Sequence, residues 1–368
     1  MGSKPSKPQF ITVLGDKQVE MGKEIILSCE TNTEGLTVTW EKDGHTLKCV
    51  QDKHVMKQDG NNWSLQILNA DEVDEGNYTI KLENQSGRDA CSAKVIVELK
   101  EWRTVQWKQN EMVDYLRTFT IDIDEVKELR FLLYGLVGAG KSSTINTIKT
   151  IFGGSQFVNC LAEAMSTTSF TMKYEKYVIA DGKEDLLPLA FNDTVGVEKE
   201  QGVHTDDIIS ALRGHIKEGY VFNPKSQISE ENPHYLKNPS LSDRIHCLVS
   251  VVAADRIAVM DQEIINKMRQ VRQAANRMGI PQVVFMTRVD LACPLTKENL
   301  RYIYKSKKVR DNMQKCSSLL GIPVNCIFPV KNYHMETHVS GDINCLMLDA
   351  LTQIVDWAND YVAQIAQI

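Results

Sequence analysis

A glycine-rich segment near the middle of the chain has the residue types that hold a nucleoside triphosphate. Residues 135–142 read Gly-Leu-Val-Gly-Ala-Gly-Lys-Ser, and this glycine loop fits the pattern G-x-x-x-x-G-K-[ST]. Glycines let backbone N–H groups turn toward phosphate oxygens, the lysine reaches the β- and γ-phosphates, and the serine hydroxyl binds Mg²⁺. The predicted nucleotide contacts are Gly135, Gly138, Ala139, Gly140, Lys141, Ser142 and Ser143.

Two further metal contacts are expected after the glycine loop: one from an acidic motif and one from a threonine that precedes this motif. Residues 193–196 form an Asp-x-x-Gly motif, in which Asp193 would hold Mg²⁺ through water and the N–H of Gly196 would sense the γ-phosphate. A threonine upstream would complete the magnesium shell. Thr168 is the predicted ligand, with Thr167 as the alternative, although both could equally be ordinary threonines that begin a strand.

A second motif points to the base of the nucleotide. Residues 287–290 read Thr-Arg-Val-Asp and resemble the guanine motif [NT]-K-x-D, with arginine in place of lysine. Asp290 would accept hydrogen bonds from guanine N1 and N2, while the Arg288 stem lies along the ring. The next strand ends at residues 329–333, where backbone N–H groups would meet guanine O6. The pattern favours guanine over adenine, and the predicted base contacts are Thr287, Arg288, Asp290, Lys331 and Asn332.

The residue that orients the attacking water in signalling GTPases is missing. No glutamine stands beside Gly196, because Val197 follows it. Glu198, Gln201 or His204 could substitute, and the sequence ranks none of them. We therefore expect at most slow or partner-assisted hydrolysis, and no catalytic residue is assigned.

The elements that position these motifs alternate between strand and helix, which is typical of a doubly wound α/β sheet. The glycine loop lies between an apolar run at 129–134 and helical spacing over 143–151. The other predicted strands are 169–178, 186–191, 246–253, 282–287 and 324–330, and the predicted helices are 206–216, 261–278, 309–320 and 346–366. An insertion spans residues 214–244, and its histidines His215 and His234 lack further ligands at metal spacing.

The front of the chain has short alternating strands separated by turn residues, which predicts an all-β sandwich. Cys29, Trp40 and Tyr78 stand in the order of the immunoglobulin landmarks, with Tyr78 as a tyrosine corner. The second framework cysteine belongs at position 80, where this chain has Ile80. The segment therefore resembles disulfide-free, intracellular I-set domains of the titin type, which implies a domain that binds a protein partner.

Composition bounds the organisation and the compartment. The net charge of −6 gives no reason to expect nucleic-acid binding, and nine cysteines without CxxC pairs suggest neither zinc nor disulfides. No apolar run reaches the roughly 18 residues of a membrane span, and no signal peptide is recognisable, so we expect a cytoplasmic protein. The predicted segments are a flexible N-terminus (1–8), an immunoglobulin-like domain (9–99), a helical connector (100–128) and a P-loop GTPase-like domain (129–368).

The first residues carry a lipidation pattern. Met1 and Gly2 followed by Ser6 fit the N-myristoylation motif M-G-x-x-x-[ST], although Gly-Ser after an initiator methionine is also a common expression remnant. One acyl chain with two lysines nearby would give only weak, reversible membrane contact.

Together these motifs make the chain resemble the interferon-induced protein 44 family of GTP-binding proteins. The resemblance covers roughly residues 101 to 368 and rests on residues 102–103, 107, 138–143, 192–198, 214–216, 222–224, 287–290 and 330–333. It implies a cytoplasmic protein of the interferon-induced antiviral response that binds GTP and Mg²⁺. Mammalian members usually carry a TLDc-type or unrelated segment where this chain has its immunoglobulin-like front.

Three hypotheses follow from the sequence. The first is a cytosolic GTP-binding switch or scaffold whose immunoglobulin-like domain recruits a protein. The second is an interaction protein whose glycine loop is structural and not hydrolytic. The third is a muscle-type sandwich protein with an appended NTPase.

Overall fold

The computed structural model describes residues 6–154, 173–182, 185–198 and 202–367. The chain divides into two compact units. The first comprises Met1–Trp102 with Lys305–Lys307, and the second comprises Arg103–Tyr304 with Lys308–Ile368.

The first unit is a β-sandwich of two sheets. Its strands are β1 (Phe10–Thr12), β2 (Lys17–Glu20), β3 (Ile25–Thr31), β4 (Thr37–Lys42), β5 (His45–Thr46), β6 (His54–Asp59), β7 (Asn62–Ile67), β8 (Gly76–Asn84) and β9 (Gly87–Glu98). One sheet has the order β1-β3-β7-β6 and the other has the order β2-β9-β8-β4-β5. The strands pair antiparallel except β2 and β9, which run parallel.

Alternation of apolar and polar residues produces this sandwich. Along β3 every second side chain is buried, as expected for a strand with one face on a core. The core contains Cys29, Trp40 and Ile80, and the Tyr78 hydroxyl donates a hydrogen bond of 2.9 Å to the Asp74 carbonyl oxygen. The predicted tyrosine corner is thus present. Burial raises the pKa of the free Cys29 thiol to about 12, so it stays protonated.

The second unit is a mixed α/β structure. Its strands are β10 (Leu129–Gly135), β11 (Glu175–Asp181), β12 (Asp185–Asp193), β13 (Cys247–Ala253), β14 (Gln282–Thr287) and β15 (Ile327–Pro329). Its helices are α1 (Gln109–Thr118), α2 (Lys141–Gly153), α3 (Thr205–Leu212), α4 (Gln262–Arg277), α5 (Val289–Ala292), α6 (Pro294–Glu298), α7 (Lys307–Leu320) and α8 (Gly341–Ala366).

The sheet order is β11-β12-β10-β13-β14-β15, and every neighbouring pair is parallel except β11 with β12. Strand β13 is buried at every residue, which is typical of a parallel strand covered on both faces. The carboxyl ends of the parallel strands meet at one edge of the sheet. The glycine loop follows β10, Asp193 ends β12 and Thr287 ends β14, so the predicted motifs share that edge.

A buried histidine links the start of β10 to the segment that precedes β13. The Nδ1 atom of His246 accepts a hydrogen bond of 3.0 Å from the backbone N–H of Arg130, and Nε2 lies 3.0 Å from the Leu241 carbonyl oxygen. The neutral imidazole satisfies both contacts, one as acceptor and one as donor. Burial lowers the pKa of His246 to about 4.

Several element boundaries differ from the sequence expectations. The part of the predicted strand 169–178 that precedes residue 173 lies outside the described residues, and β11 extends to Asp181. Residues Val324–Cys326, predicted as strand, form a single 3-10 turn before the short β15. Pro323, at the cap of this turn, has no N–H to donate to a sheet ladder. In the predicted connector only Gln109–Thr118 is helical.

The insertion at 214–244 is held by a buried carboxylate. Asp207 on α3 accepts hydrogen bonds from the N–H of Ile228 (2.7 Å) and the hydroxyl of Tyr220 (3.2 Å). Burial raises the pKa of Asp207 despite both contacts.

Among the helices of the described ranges, none has the length and apolar character needed to cross a bilayer.

Candidate functional site

The glycine loop requires glycine for two physical reasons. Gly138 and Gly140 have φ angles of 70° and 98°, in the left-handed region that side chains disfavour. At Gly135 the limit is space, because a Cβ atom would lie 2.1 Å from the Val251 carbonyl oxygen of β13. The loop therefore lies tightly against the central strand and leads directly into α2 at Lys141.

Lys141 and Ser142 begin α2 with their polar groups buried. The Lys141 residue is 5% exposed, and its Nζ donates to the carbonyl oxygens of Leu136 (3.2 Å) and Gly135 (3.4 Å). Ser142 Oγ donates to Asp193 Oδ2 at 2.6 Å, and the other Asp193 oxygen accepts from the N–H of Thr194 at 3.0 Å. Loop, helix and the end of β12 thus meet at one hydroxyl and one carboxylate.

The Ser142–Asp193 pair fits a magnesium ion. Mg²⁺ is usually held by one or two protein oxygens together with waters and substrate phosphates. A serine hydroxyl and a carboxylate at hydrogen-bond distance supply two such oxygens next to the glycine loop, whose Gly138 and Gly140 have positive φ angles. No group of three or more His, Cys, Asp or Glu side chains gathers at metal-binding distance within the described ranges.

Gly196 packs on the glycine loop itself. A Cβ atom at Gly196 would lie 2.4 Å from Val137 Cγ2 and 2.6 Å from its backbone nitrogen. The next residue, Val197, donates its N–H to the Gly135 carbonyl oxygen at 3.0 Å and is 1% exposed. The position where a water-orienting glutamine would stand is therefore an apolar residue buried against the loop.

The alternative water-orienting residues are only partly described. Gln201 lies outside the described residues. The backbone carbonyl of Glu198 accepts a hydrogen bond of 2.9 Å from Lys267. His204 precedes α3, and its Nε2 atom is shielded from solvent without a hydrogen-bond partner among the described residues.

The ends of β14 and β15 are tied to the glycine loop. Thr287 Oγ1 donates a 2.6 Å hydrogen bond to the Ala139 carbonyl oxygen. Asn332 Nδ2 donates to the Gly140 carbonyl oxygen and to Thr144 Oγ1, both at 3.2 Å. The sequence predicts Asn332 as a base contact through its backbone N–H, which stays a prediction; its side chain contacts the start of α2.

Charged side chains cluster beyond β14 and β15. Arg288, with φ of 58°, pairs with Asp255 at 2.9 Å. Lys331 lies 3.6 Å from Asp290 and 2.7 Å from Glu336. Burial acts to lower the pKa of Lys331, but its hydrogen bond with Glu336 and the nearby Asp290 charge outweigh burial and raise it.

Glu336 is the second carboxylate that pairs with Lys331 in this charged cluster. Burial acts to raise its pKa, but hydrogen bonds from Lys331 and from the N–H of His334 outweigh that effect and hold the pKa at about 2. Lys331 therefore lies between two carboxylates, Glu336 and Asp290, at the edge of the sheet.

Most of the residues predicted from sequence lie at this edge. Direct contacts connect the glycine loop with Asp193, Gly196, Thr287 and Asn332, while Arg288, Asp290 and Lys331 follow β14 and β15. Among the described residues, the Ser143 side chain forms no hydrogen bond with the others, and Thr168 and Gly2 lie outside the residues that the structure describes. The residues that the sequence did not indicate are Thr144, Asp255, Arg256 and Glu336.

Comparison with known proteins agrees with this architecture. Residues 8–97 match the family model for the immunoglobulin I-set domain. The chain therefore combines an I-set immunoglobulin domain with a mixed α/β unit, and the predicted succession of these two parts is confirmed.

Relatives with established names cover both parts. Interferon-induced protein 44 of Homo sapiens is 29% identical over 341 residues, which are 92% of this chain and 73% of that protein. Interferon-induced protein 44-like of Homo sapiens is 31% identical over 272 residues, 73% of this chain and 59% of that protein. Titin of Drosophila melanogaster is 37% identical over 91 residues; the match covers 25% of this chain and a share of titin that rounds to 0%.

The resemblance to the interferon-induced protein 44 family is thus confirmed, and the chain is a relative of that family with an I-set domain in front. The match to human interferon-induced protein 44 covers 92% of the chain and so extends ahead of residue 101, further than the motifs alone indicated.

Proposed function

We propose that this protein binds Mg²⁺–GTP at the edge of its α/β sheet and acts in the cytoplasm as a slow switch or scaffold of an interferon-induced immune response. The observation that carries the proposal is the 2.6 Å contact between Ser142 Oγ and Asp193 Oδ2 beside the glycine loop. It brings the two oxygens that a triphosphate-bound Mg²⁺ needs to the start of α2. The immune role comes from the relatives, whose names state that they are interferon-induced.

The phosphate half of the proposed site is a P-loop. The left-handed glycines Gly138 and Gly140 turn the backbone, and the N-terminus of α2 adds a partial positive charge that favours anions. Lys141 Nζ, now on two loop carbonyls, would exchange those contacts for phosphate oxygens. The second unit would accordingly be a P-loop NTPase domain.

The base half would select guanine. Asp290 pairs with Lys331 at 3.6 Å through one carboxylate oxygen, and its carboxylate would accept hydrogen bonds from guanine N1 and N2. Thr287 couples this segment to the phosphate loop through the Ala139 carbonyl oxygen. A guanine held here therefore shares a rigid support with the phosphates.

Hydrolysis by this site would be slow. Val197 is buried and apolar, so it cannot orient an attacking water. Fast turnover would then need a group from a partner. The immunoglobulin-like domain, which has relatives in titin, would recruit a protein partner, and no nucleic acid is expected.

Isothermal titration of the full chain with Mg²⁺–GTP and Mg²⁺–ATP tests the proposal. We expect saturable GTP binding that is weaker for ATP and that Lys141→Ala reduces by about ten- to a hundredfold, the worth of a charge-assisted contact. Lys149→Ala is the matched control, because Lys149 lies on the same helix but its ammonium lies over the Tyr177 ring, 4.5 Å from the centroid. Absence of saturable GTP binding to the wild type would defeat the proposal.

The base assignment has its own test. Asp290→Asn removes an acceptor that guanine needs and adds an N–H donor that can meet the extra carbonyl oxygen of xanthine. We expect weaker GTP binding and stronger binding of xanthosine triphosphate. If GTP affinity does not change, Asp290 does not contact the base.

A second candidate function is an interaction protein whose P-loop stays empty. One observation favours it: the Lys141 and Ser142 side chains already have hydrogen-bond partners within the chain, so neither needs a ligand to satisfy it. This reading requires that Mg²⁺–GTP neither binds nor raises the unfolding temperature, whereas the first function requires a rise that grows with GTP concentration.

A further inference from the structure

The segment after β13 lies between the two halves of the proposed nucleotide site. In the sheet, β13 has β10 on one side and β14 on the other. The glycine loop follows β10 and the Thr-Arg-Val-Asp motif follows β14, at the same edge. The 3-10 segment Ala254–Val259, which follows β13, therefore has the phosphate loop on one side and the base motif on the other.

Two consecutive residues of this segment, Asp255 and Arg256, lie beside the base motif and the glycine loop, respectively. Asp255 forms an ion pair with Arg288 of the base motif at 2.9 Å. Arg256 instead lies by the phosphate loop, because its Nη1 atom is 3.7 Å from the position that a Cβ on Gly138 would occupy. Neither residue was indicated by the sequence motifs.

The two arginines near the loop differ in what they contact. The Arg288 guanidinium is held by the Asp255 carboxylate. Arg256 is exposed, and its guanidinium makes no hydrogen bond or ion pair with any residue in the part of the chain that the structure describes. Arg256 is therefore a positive charge beside the phosphate loop with all of its N–H donors available to a ligand.

We propose that Arg256 binds the polyphosphate chain of the nucleotide. A guanidinium carries five N–H donors in a planar fork and pairs with phosphate oxygens through two parallel hydrogen bonds. A left-handed glycine beside it leaves room for that approach, since no side chain stands at Gly138. This inference rests on the proposed function, and it adds a phosphate-binding residue that the P-loop pattern does not contain.

Three variants measure the contribution of Arg256. Arg256→Ala removes the guanidinium, and Arg256→Lys keeps the charge but not the fork. Arg277→Ala is the control: Arg277 is exposed at the end of α4, which runs from the carboxyl end of β13 back toward the start of β14. It therefore removes the same charge near the opposite edge of the sheet.

The probes are Mg²⁺–GTP and Mg²⁺–tripolyphosphate, titrated into each full-length variant. For Arg256→Ala we expect an affinity loss of about ten- to a hundredfold for both probes, because both contain the phosphates. Arg256→Lys should lose less, and Arg277→Ala should bind both probes like the wild type. Unchanged circular dichroism and unfolding temperature would show that each variant is folded.

The outcomes separate this inference from the proposed function. If the wild type binds GTP and Arg256→Ala binds it equally well, the role of Arg256 is wrong while GTP binding stands. If Arg256→Ala loses GTP affinity but keeps tripolyphosphate affinity, the arginine contacts another part of the nucleotide and the inference is again wrong. If the wild type binds neither probe, the proposed function fails and this inference fails with it.

Discussion

Replacing Thr287 by valine should loosen the connection between the Thr-Arg-Val-Asp motif and the glycine loop. Thr287 is fully buried, and its hydroxyl donates the 2.6 Å hydrogen bond to the carbonyl oxygen of Ala139, a residue that is 2% exposed. Valine has nearly the same shape but no hydroxyl, so this carbonyl would lose the Thr287 donor in a buried setting. An acceptor left unsatisfied in this way costs about 1–3 kcal/mol.

Urea unfolding of the full chain measures this cost. Since the chain has two units, far-UV circular dichroism and tryptophan fluorescence are recorded together, and the transition of each unit is fitted separately. A loss of about 2 kcal/mol in a unit of this size lowers the unfolding temperature by about 4–8 °C. The affinity for Mg²⁺–GTP should also fall, because the glycine loop, which we propose binds the phosphates, loses a fixed support.

Thr287→Ser is the matched control. Serine keeps the hydroxyl and loses one buried methyl group, which costs about 1 kcal/mol. The valine variant should therefore be less stable than the serine variant and bind GTP more weakly. If Thr287→Val unfolds at the same urea concentration as the wild type, or if the serine variant is the less stable of the two, the role assigned to the hydroxyl is refuted.

Three further changes have definite expected outcomes. Tyr78→Phe removes the hydroxyl that bonds to the Asp74 carbonyl and should destabilise the first unit alone by about 1–3 kcal/mol in urea unfolding; an effect on the second unit would contradict this. Gly196→Ala places a methyl group 2.4 Å from Val137 Cγ2 and should cost about 1–3 kcal/mol in calorimetry, so an unchanged unfolding temperature would count against the close approach. The pKa of His246 is lowered to about 4 from an ordinary value of 6.5, so only the unfolded chain takes up its proton between these pH values. Stability present above pH 6.5 should fall by about 3 kcal/mol as the pH drops to 4, and His246→Gln, which cannot titrate, should flatten that part of the profile.

The helices and strands could be predicted from the sequence better than the contacts among the loops that connect them. The glycine loop, Asp193 and Thr287 each end or follow a strand, and strand ends in a parallel sheet meet at one edge, so their proximity follows from topology. The immunoglobulin-like domain was predictable for a similar reason, since alternation along β3 already separates core from surface.

The misses depend on loops that meet only in three dimensions. Glu336 contacts Lys331 because residues after β15 turn back, and no sequence spacing reports that turn. Asp255 and Arg256 form no known motif, and their importance comes from the position of β13 between β10 and β14. At 324–330 the apolar pattern suited a strand, but Pro323 and the following 3-10 turn leave only three residues to pair.

The parallel pairing of β2 with β9 has a mechanical consequence. These strands lie near the two ends of the first unit, and four residue pairs join them, from Lys17 with Val95 to Glu20 with Glu98. Tension applied through the two chain ends would load this parallel ladder along the strands, so its hydrogen bonds would be sheared together and not peeled apart one by one. The geometry would let the domain carry tension between its two chain ends before it opens.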